Sequence, residues 1–201
     1  MKKGLVFFCI ALMLTMAAGA ASAEDIAGKF GVTGRIGFLV PADSEATVYG
    51  ADIQNISTGV GFVGGGGFLY GINRNFAAEL DITYTGFTGD RVFSSFDFNI
   101  INIALGGQYR FKEMSKFTPY VGLGLDILFN GADNGYNVDT VPGIHLAGGV
   151  DYFLTKNLAL NSELKFVVAP NADITTYGGL KVGNFDPSSF SMTFGVRYFI
   201  N

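Results

Sequence analysis

Residues Phe30 to Val40 read FGVTGRIGFLV, and their side chains alternate from end to end. Phe30, Val32, Gly34, Ile36, Phe38 and Val40 share one side; Gly31, Thr33, Arg35, Gly37 and Leu39 share the other. A period of two is the mark of an extended strand, because successive side chains leave opposite faces of the pleat. One face of this strand carries nothing polar. The other is small, polar or charged.

The same grammar recurs over Thr58–Tyr70, Phe76–Tyr84, Ile101–Phe111, Phe117–Phe129, Ile144–Leu154, Leu158–Val168 and Phe190–Ile200. In the third segment Phe76, Ala78, Leu80, Ile82 and Tyr84 oppose Ala77, Glu79, Asp81 and Thr83; in the last, Met192, Phe194, Val196 and Tyr198 oppose Thr193, Gly195 and Arg197. This predicts eight strands of about 10 residues each, the length a tilted strand needs to cross a bilayer. Every charged residue inside these segments falls on the second face.

The connections alternate as well. Gly71–Asn75, Lys112–Lys116 and Thr155–Asn157 are short, whereas Pro41–Ser57, Thr88–Ser95, Gly131–Pro142 and Ala169–Pro187 are long. Short turns on one rim and long loops on the other are the layout of an outer-membrane barrel, with the turns periplasmic. A soluble β-sandwich does not require that alternation. The apolar face must then meet lipid, since a charge in hydrocarbon costs several kcal/mol. Its aromatics form two predicted belts at the interfaces. Phe30, Tyr70, Phe76, Tyr109, Phe111, Phe117, Tyr152 and Tyr198 lie toward the periplasmic rim, and Phe38, Tyr84, Phe129, Phe166 and Phe190 toward the outer one.

The first residues agree with export. Lys2 and Lys3 precede an apolar run from Leu5 to Met16, and Ala21-Ser-Ala23 is a fitting cleavage site. The expectation is a cleaved signal peptide over 1–23 and one barrel domain over 24–201. Cys9, the chain's single cysteine, lies inside that signal, so disulfides, thiolate metal sites and cysteine nucleophiles are excluded from the remainder. Losing the two lysines moves the formal charge from −4 to −6, and an acidic chain without basic clusters is a poor partner for nucleic acid. Nearly half of the residues are hydrophobic and 29 are glycine, yet no later apolar run has the length of a membrane helix.

The stretch Lys116-Phe-Thr-Pro-Tyr-Val-Gly-Leu-Gly-Leu-Asp126 resembles small outer-membrane barrels generally. Ala147-Gly-Gly-Val-Asp-Tyr-Phe-Leu-Thr-Lys-Asn-Leu-Ala-Leu160, and Phe185-Asp-Pro187 leading into Gly195-Val-Arg-Tyr-Phe199, look like the outer-membrane protein W (OmpW-like) family. The likeness runs best from Lys116 onward. Tryptophan, which that family often carries, is missing, and the last residues are Phe199-Ile200-Asn201 rather than a terminal aromatic. The resemblance implies an eight-stranded barrel in the bacterial outer membrane whose hydrophobic lumen conducts small apolar molecules.

Inside the barrel, Glu79, Asp81, Arg110, Asp151 and Arg197 fall toward the periplasmic end. Their mixed signs suggest an ion-pair plug in a lumen only just wide enough for its own side chains. Leu39, Val63, Leu128, His145, Ala147 and Val167 fall toward the outer end and form a candidate apolar pocket; equally, they could simply fill the barrel. An apolar solute stopped by the charged floor would leave sideways into lipid.

Other signals carry less. Gly59-Val-Gly-Phe-Val-Gly64 matches a dinucleotide-binding pattern, but no helix follows it. A lipid-modifying enzyme would need His145 to work with Asp126 and with Thr193 or Ser191; hydrogen bonding within the lumen is the simpler role for the one histidine. Asp133, Asn137 and Asp139 lack the spacing of a calcium loop and suit a solvated loop. The predicted function is therefore passive uptake of small hydrophobic molecules, with no catalysis, cofactor or metal. The alternative is a structural or adhesive surface barrel acting through its outer loops. Expected partners are outer-membrane lipid, the solutes, and the barrel-assembly machinery during insertion.

Overall fold

The computed structural model describes residues 25–42, 44–48, 51–90, 95–111, 116–132, 136–176 and 178–200. The signal peptide expected over residues 1–23 lies outside them, as does Asp133. Thirteen strands follow in chain order. They are β1 (Phe30–Pro41), β2 (Ser44–Val48), β3 (Ala51–Thr58), β4 (Gly61–Gly71), β5 (Phe76–Asp90), β6 (Ser95–Arg110) and β7 (Phe117–Ala132). After them come β8 (Tyr136–Val138), β9 (Val141–Phe153), β10 (Leu158–Val168), β11 (Ala172–Thr176), β12 (Lys181–Phe185) and β13 (Ser189–Ile200).

Eight of these close into an up-and-down antiparallel barrel. β1 pairs with β4, then β4 with β5, β5 with β6, β6 with β7, β7 with β9, β9 with β10 and β10 with β13. The last seam joins β13 back to β1, from Phe30↔Ile200 to Pro41↔Ser189. Closure leaves no open edge, the condition for a sheet to sit in hydrocarbon, where an unpaired amide has no water to bond.

The segments expected from periodicity are all strands, but some bounds differ. β5 runs on to Asp90 and β6 starts as early as Ser95, so both ends of the expected loop Thr88–Ser95 belong to the ladder. Beyond the membrane both faces of a strand are wet, so the alternation of apolar residues stops while hydrogen bonding continues. The segment expected from Thr58 starts instead at Gly61, and Thr58 ends β3, which pairs with the far end of β5. The other three expected loops hold short strands: β2 pairs with β3, while β11 pairs with both β12 and β8 above the barrel mouth.

The outer surface is apolar. Phe30, Ile36, Phe68, Leu105, Leu125 and Val196 are exposed, and the described charged side chains of the barrel strands all turn inward. Near the periplasmic rim the aromatics touch in pairs across strands. Phe30 and Tyr70 have ring centroids 4.8 Å apart, Phe76 and Tyr109 5.2 Å, and Phe117 and Tyr152 4.9 Å. At the other rim Phe166 and Phe190 stand 4.7 Å apart. Cross-strand aromatic pairs add about 0.5–1.5 kcal/mol beyond area burial.

The interior is layered. At the periplasmic end Ile26, Leu69, Ala77, Phe153, Ala159 and Phe199 form an apolar cluster, with Phe153 stacked on Phe199. Ile26 arrives on a strap that crosses the rim, held by Gly28 N–H donating to the Gly71 carbonyl and by Asp25 against Arg74 at 2.6 Å. At the outer end Ile100, Leu128, Val141 and Val167 pack against Val138, Ala172, Ile174 and Phe185, so strands β8, β11 and β12 cap the mouth with apolar side chains. Charge lies between these two layers.

Candidate functional site

The lumen is the candidate site, and its floor is a knot of charge. Arg197 on β13 donates to Asp151 at 2.8 Å, to Glu79 at 2.6 Å and to the Thr33 hydroxyl at 2.8 Å. Arg110 on β6 reaches the same Asp151 oxygen at 2.5 Å and Gln108 at 3.0 Å. Arg35 on β1 spans three carboxylates, Glu163 at 2.7 Å, Glu79 at 3.0 Å and Asp81 at 3.1 Å. Tyr120 stands in the middle. Its hydroxyl donates to Glu163 at 2.7 Å and accepts from Asn161 at 2.9 Å, and the Arg110 and Arg197 guanidiniums sit 5.4 and 5.7 Å from its ring centre.

So the five residues singled out for a plug, Glu79, Asp81, Arg110, Asp151 and Arg197, lie in one network. Arg35, Glu163 and Tyr120 belong to it equally, though sequence reasoning left them off the site. Strand tilt explains the omission: Arg35 is the sixth residue of β1, yet it meets Glu79 near the start of β5. Counting along one strand does not give depth in a sheared barrel. An isolated buried charge would be very costly, and here each has a partner of opposite sign.

Glycine makes room for the large side chains. A Cβ placed on Gly149 would come within 2.4 Å of the Tyr120 ring, and one on Gly124 within 2.5 Å of the His145 ring. Neither distance is physical, so Tyr120 and His145 lie where they do because the facing residue has no side chain.

Above the floor is a smaller polar group. Asp126 accepts from Asn102 at 2.7 Å and from Lys165 at 3.0 Å, and His145 Nδ1 lies 2.5 Å from its other oxygen. Of the two candidate nucleophiles, Thr193 and Ser191, the Thr193 hydroxyl is without a hydrogen-bond partner, so no base is engaged with it.

Two voids remain. One, of about 10 Å³, touches His145, Ala147, Gln108, Glu79 and Lys165. The other, of about 30 Å³, is lined by Leu39, Val63, Leu128 and Val167, with Ile100 beside them and Arg35, Asp81, Asn102 and Thr193 below. A buried water needs roughly 10–15 Å³ by this kind of measure, so the voids suit a few waters. The six residues expected in one outer pocket are therefore divided: Leu39, Val63, Leu128 and Val167 share the upper void, whereas His145 and Ala147 stand at the lower one.

A closed antiparallel barrel with an apolar belt outside and charge only within is an integral outer-membrane protein. The chain belongs to the outer membrane protein beta-barrel domain family, whose model matches residues 9–198. An uncharacterized protein of Haemophilus influenzae is 26% identical over 195 residues, covering 90% of this chain and 98% of that one. The fold is shared with solved barrels. The outer membrane protein OprG from Pseudomonas aeruginosa has a TM-score of 0.71 at 19% identity, over 89% of this chain and 98% of its own. Outer Membrane Protein W of E. coli has 0.52 at 20%, over 87% and 98%. The OmpW-like resemblance seen from Lys116 onward thus coincides with a common eight-stranded architecture.

Proposed function

We propose that this barrel admits small hydrophobic molecules passively from outside and releases them sideways into the membrane. The observation that carries the proposal is the order of layers in the lumen. Ile100, Leu128 and Val167 offer an apolar upper chamber under the cap, and the Arg35–Glu79–Arg197 network closes it below. Beneath the network lies a second seal of Ile26, Phe153 and Phe199. An apolar molecule in the chamber has nothing to gain from crossing paired charges, which would have to give up their partners. Lipid is the easier way out. Support for the exit point comes from β4, where Gly64, Gly65, Gly66 and Gly67 leave bare backbone on both faces, with Gly34 of β1 opposite Gly66. The pocket residues Leu39, Val63, Leu128 and Val167 would contact the solute. The plug residues Glu79, Asp81, Arg110, Asp151 and Arg197 would block the axial route.

The test is the rate at which a labelled small apolar compound enters cells with the protein, without it, and with Leu128→Asp. Faster entry that the substitution removes is the expected result. Equal entry in all three, with barrels present in the membrane, would sink the proposal. One observation favours surface binding instead: the β5–β6 ladder extends to Asp90↔Ser95, beyond the length a crossing needs. Removing residues 88–97 should then abolish adhesion and spare uptake.

A further inference from the structure

We propose that the upper void is a head-group site for a small uncharged molecule bearing a hydroxyl, so that this barrel prefers alkanols to hydrocarbons of equal length. The inference rests on the uptake reading above and narrows its solute.

The void's lining joins an apolar group, Leu39, Val63, Leu128 and Val167, to polar and charged side chains, with Thr85 and Ser189 level with Val63 and Val167. In that lining Asn102 Oδ1 and Thr193 Oγ1 are buried without a hydrogen-bond partner. Buried polar atoms are paired in the great majority of cases, so two such atoms beside one space call for a partner within it. The neighbouring bonds fix what each atom can accept. Asn102 Nδ2 donates to Asp126, which turns its Oδ1 away as an acceptor. Asp81 makes no call on the void, since it gives Oδ2 to Arg35 and packs Oδ1 against Gly67. The ligand must therefore donate. Arg35, also part of the lining, has its Nε without a partner, and that group can only donate. One hydroxyl meets these three groups: it donates to Asn102 Oδ1 and accepts from Arg35 Nε and from the Thr193 hydroxyl.

A hydroxyl does this, and an ammonium does not, because it has no lone pair. Charge points the same way. Arg35 and Lys165 balance Asp81 and Glu163 around the void, so an added cation or anion finds no net countercharge in a place where desolvation is costly. Size sets the pose. About 30 Å³ holds a hydroxyl and its first carbon. The tail must rise into the space that Phe185 and Ile174 occupy, so binding displaces the cap.

The experiment uses methyl-labelled protein in lipid nanodiscs, titrated with hexan-1-ol or 1-chlorohexane at matched concentrations in the bilayer. The expected result is saturable shifts of the Ile100 and Leu128 methyls, at least about fivefold tighter for the alcohol, the scale of one or two neutral hydrogen bonds. Thr193→Val, which keeps the shape, should remove that preference, and Thr193→Ser should restore it. Equal affinity for both probes, unchanged in Thr193→Val, would overturn the head-group site and leave apolar uptake standing. No shift from either probe would overturn both.

Discussion

Arg197 on β13 and Asp151 on β9 meet at 2.8 Å, shut off from solvent, although strand β10 runs between their strands. Arg110 holds the same Asp151 oxygen, and Asn161 donates to the other at 2.7 Å. One carboxylate thus serves two guanidiniums. Asp151→Leu takes this carboxylate from Arg110 and leaves Arg197 with Glu79, and should cost about 3–5 kcal/mol, the usual loss on breaking a buried pair. Urea unfolding in lipid vesicles measures it. Asp151→Asn, which retains the Asn161 contact through its amide oxygen, should cost less.

Tyr120 fills the space that Gly149 leaves empty. Gly149→Val drives a side chain into the ring and should destabilise the barrel by about 1–3 kcal/mol, the range for overpacking. The same substitution beside Tyr120→Ala should be far milder than the sum of the two changes. A double-mutant cycle in the same vesicles gives the coupling. Strict additivity would show that the two positions do not share that space.

Lipid depth separates two exposed leucines. Leu105 lies between Leu80 and Leu125 on the neighbouring strands, well inside the apolar belt, whereas Leu154 stands at a periplasmic turn. Leu105→Arg should cost about 2–4 kcal/mol and Leu154→Arg at most about 1 kcal/mol. Similar penalties at the two sites would argue against the bilayer position assigned to the belt.

The strap beneath the barrel should loosen in acid. The Ala27 amide, with Arg74 adding to it, holds the Asp25 carboxyl below its ordinary range. A depressed carboxylate contributes above its unfolded value, and the contribution is lost as pH falls through its folded one. Broadening of the Ile26 methyl signal by a soluble paramagnetic agent should therefore increase toward about pH 3. In Asp25→Asn the broadening should be present already at neutral pH and change less.

Much of this architecture was legible because a bilayer imposes strict rules on a strand. Ile36, Phe62, Leu105 and Phe194 face lipid as their alternation requires, and Arg35, Asp126, Glu163 and Arg197 face inward. Depth was harder to read. It depends on register between strands, so periodicity alone does not show that Arg35 and Glu163 join the network or that His145 meets Asp126. The cap escaped for another reason. Val138, Ile174 and Phe185 sit on strands of three to five residues, too short for alternation to stand out from loop. A buried aromatic next to Asp186-Pro187 was the available signal.

Closure of β13 on β1 has a consequence for how the molecule is made. The first barrel strand finds its second neighbour only when the last one arrives, with most of the chain between Phe30 and Ile200. Contacts so distant in sequence are slow to form, because loop entropy is lost before the reward comes. Until that seam zips, β1 and β10 each hold a row of unsatisfied amides. Assembly therefore ends in a single late step. A cut in an outer loop should be survivable, whereas loss of the final twelve residues of the sheet should leave a chain that never finishes inserting.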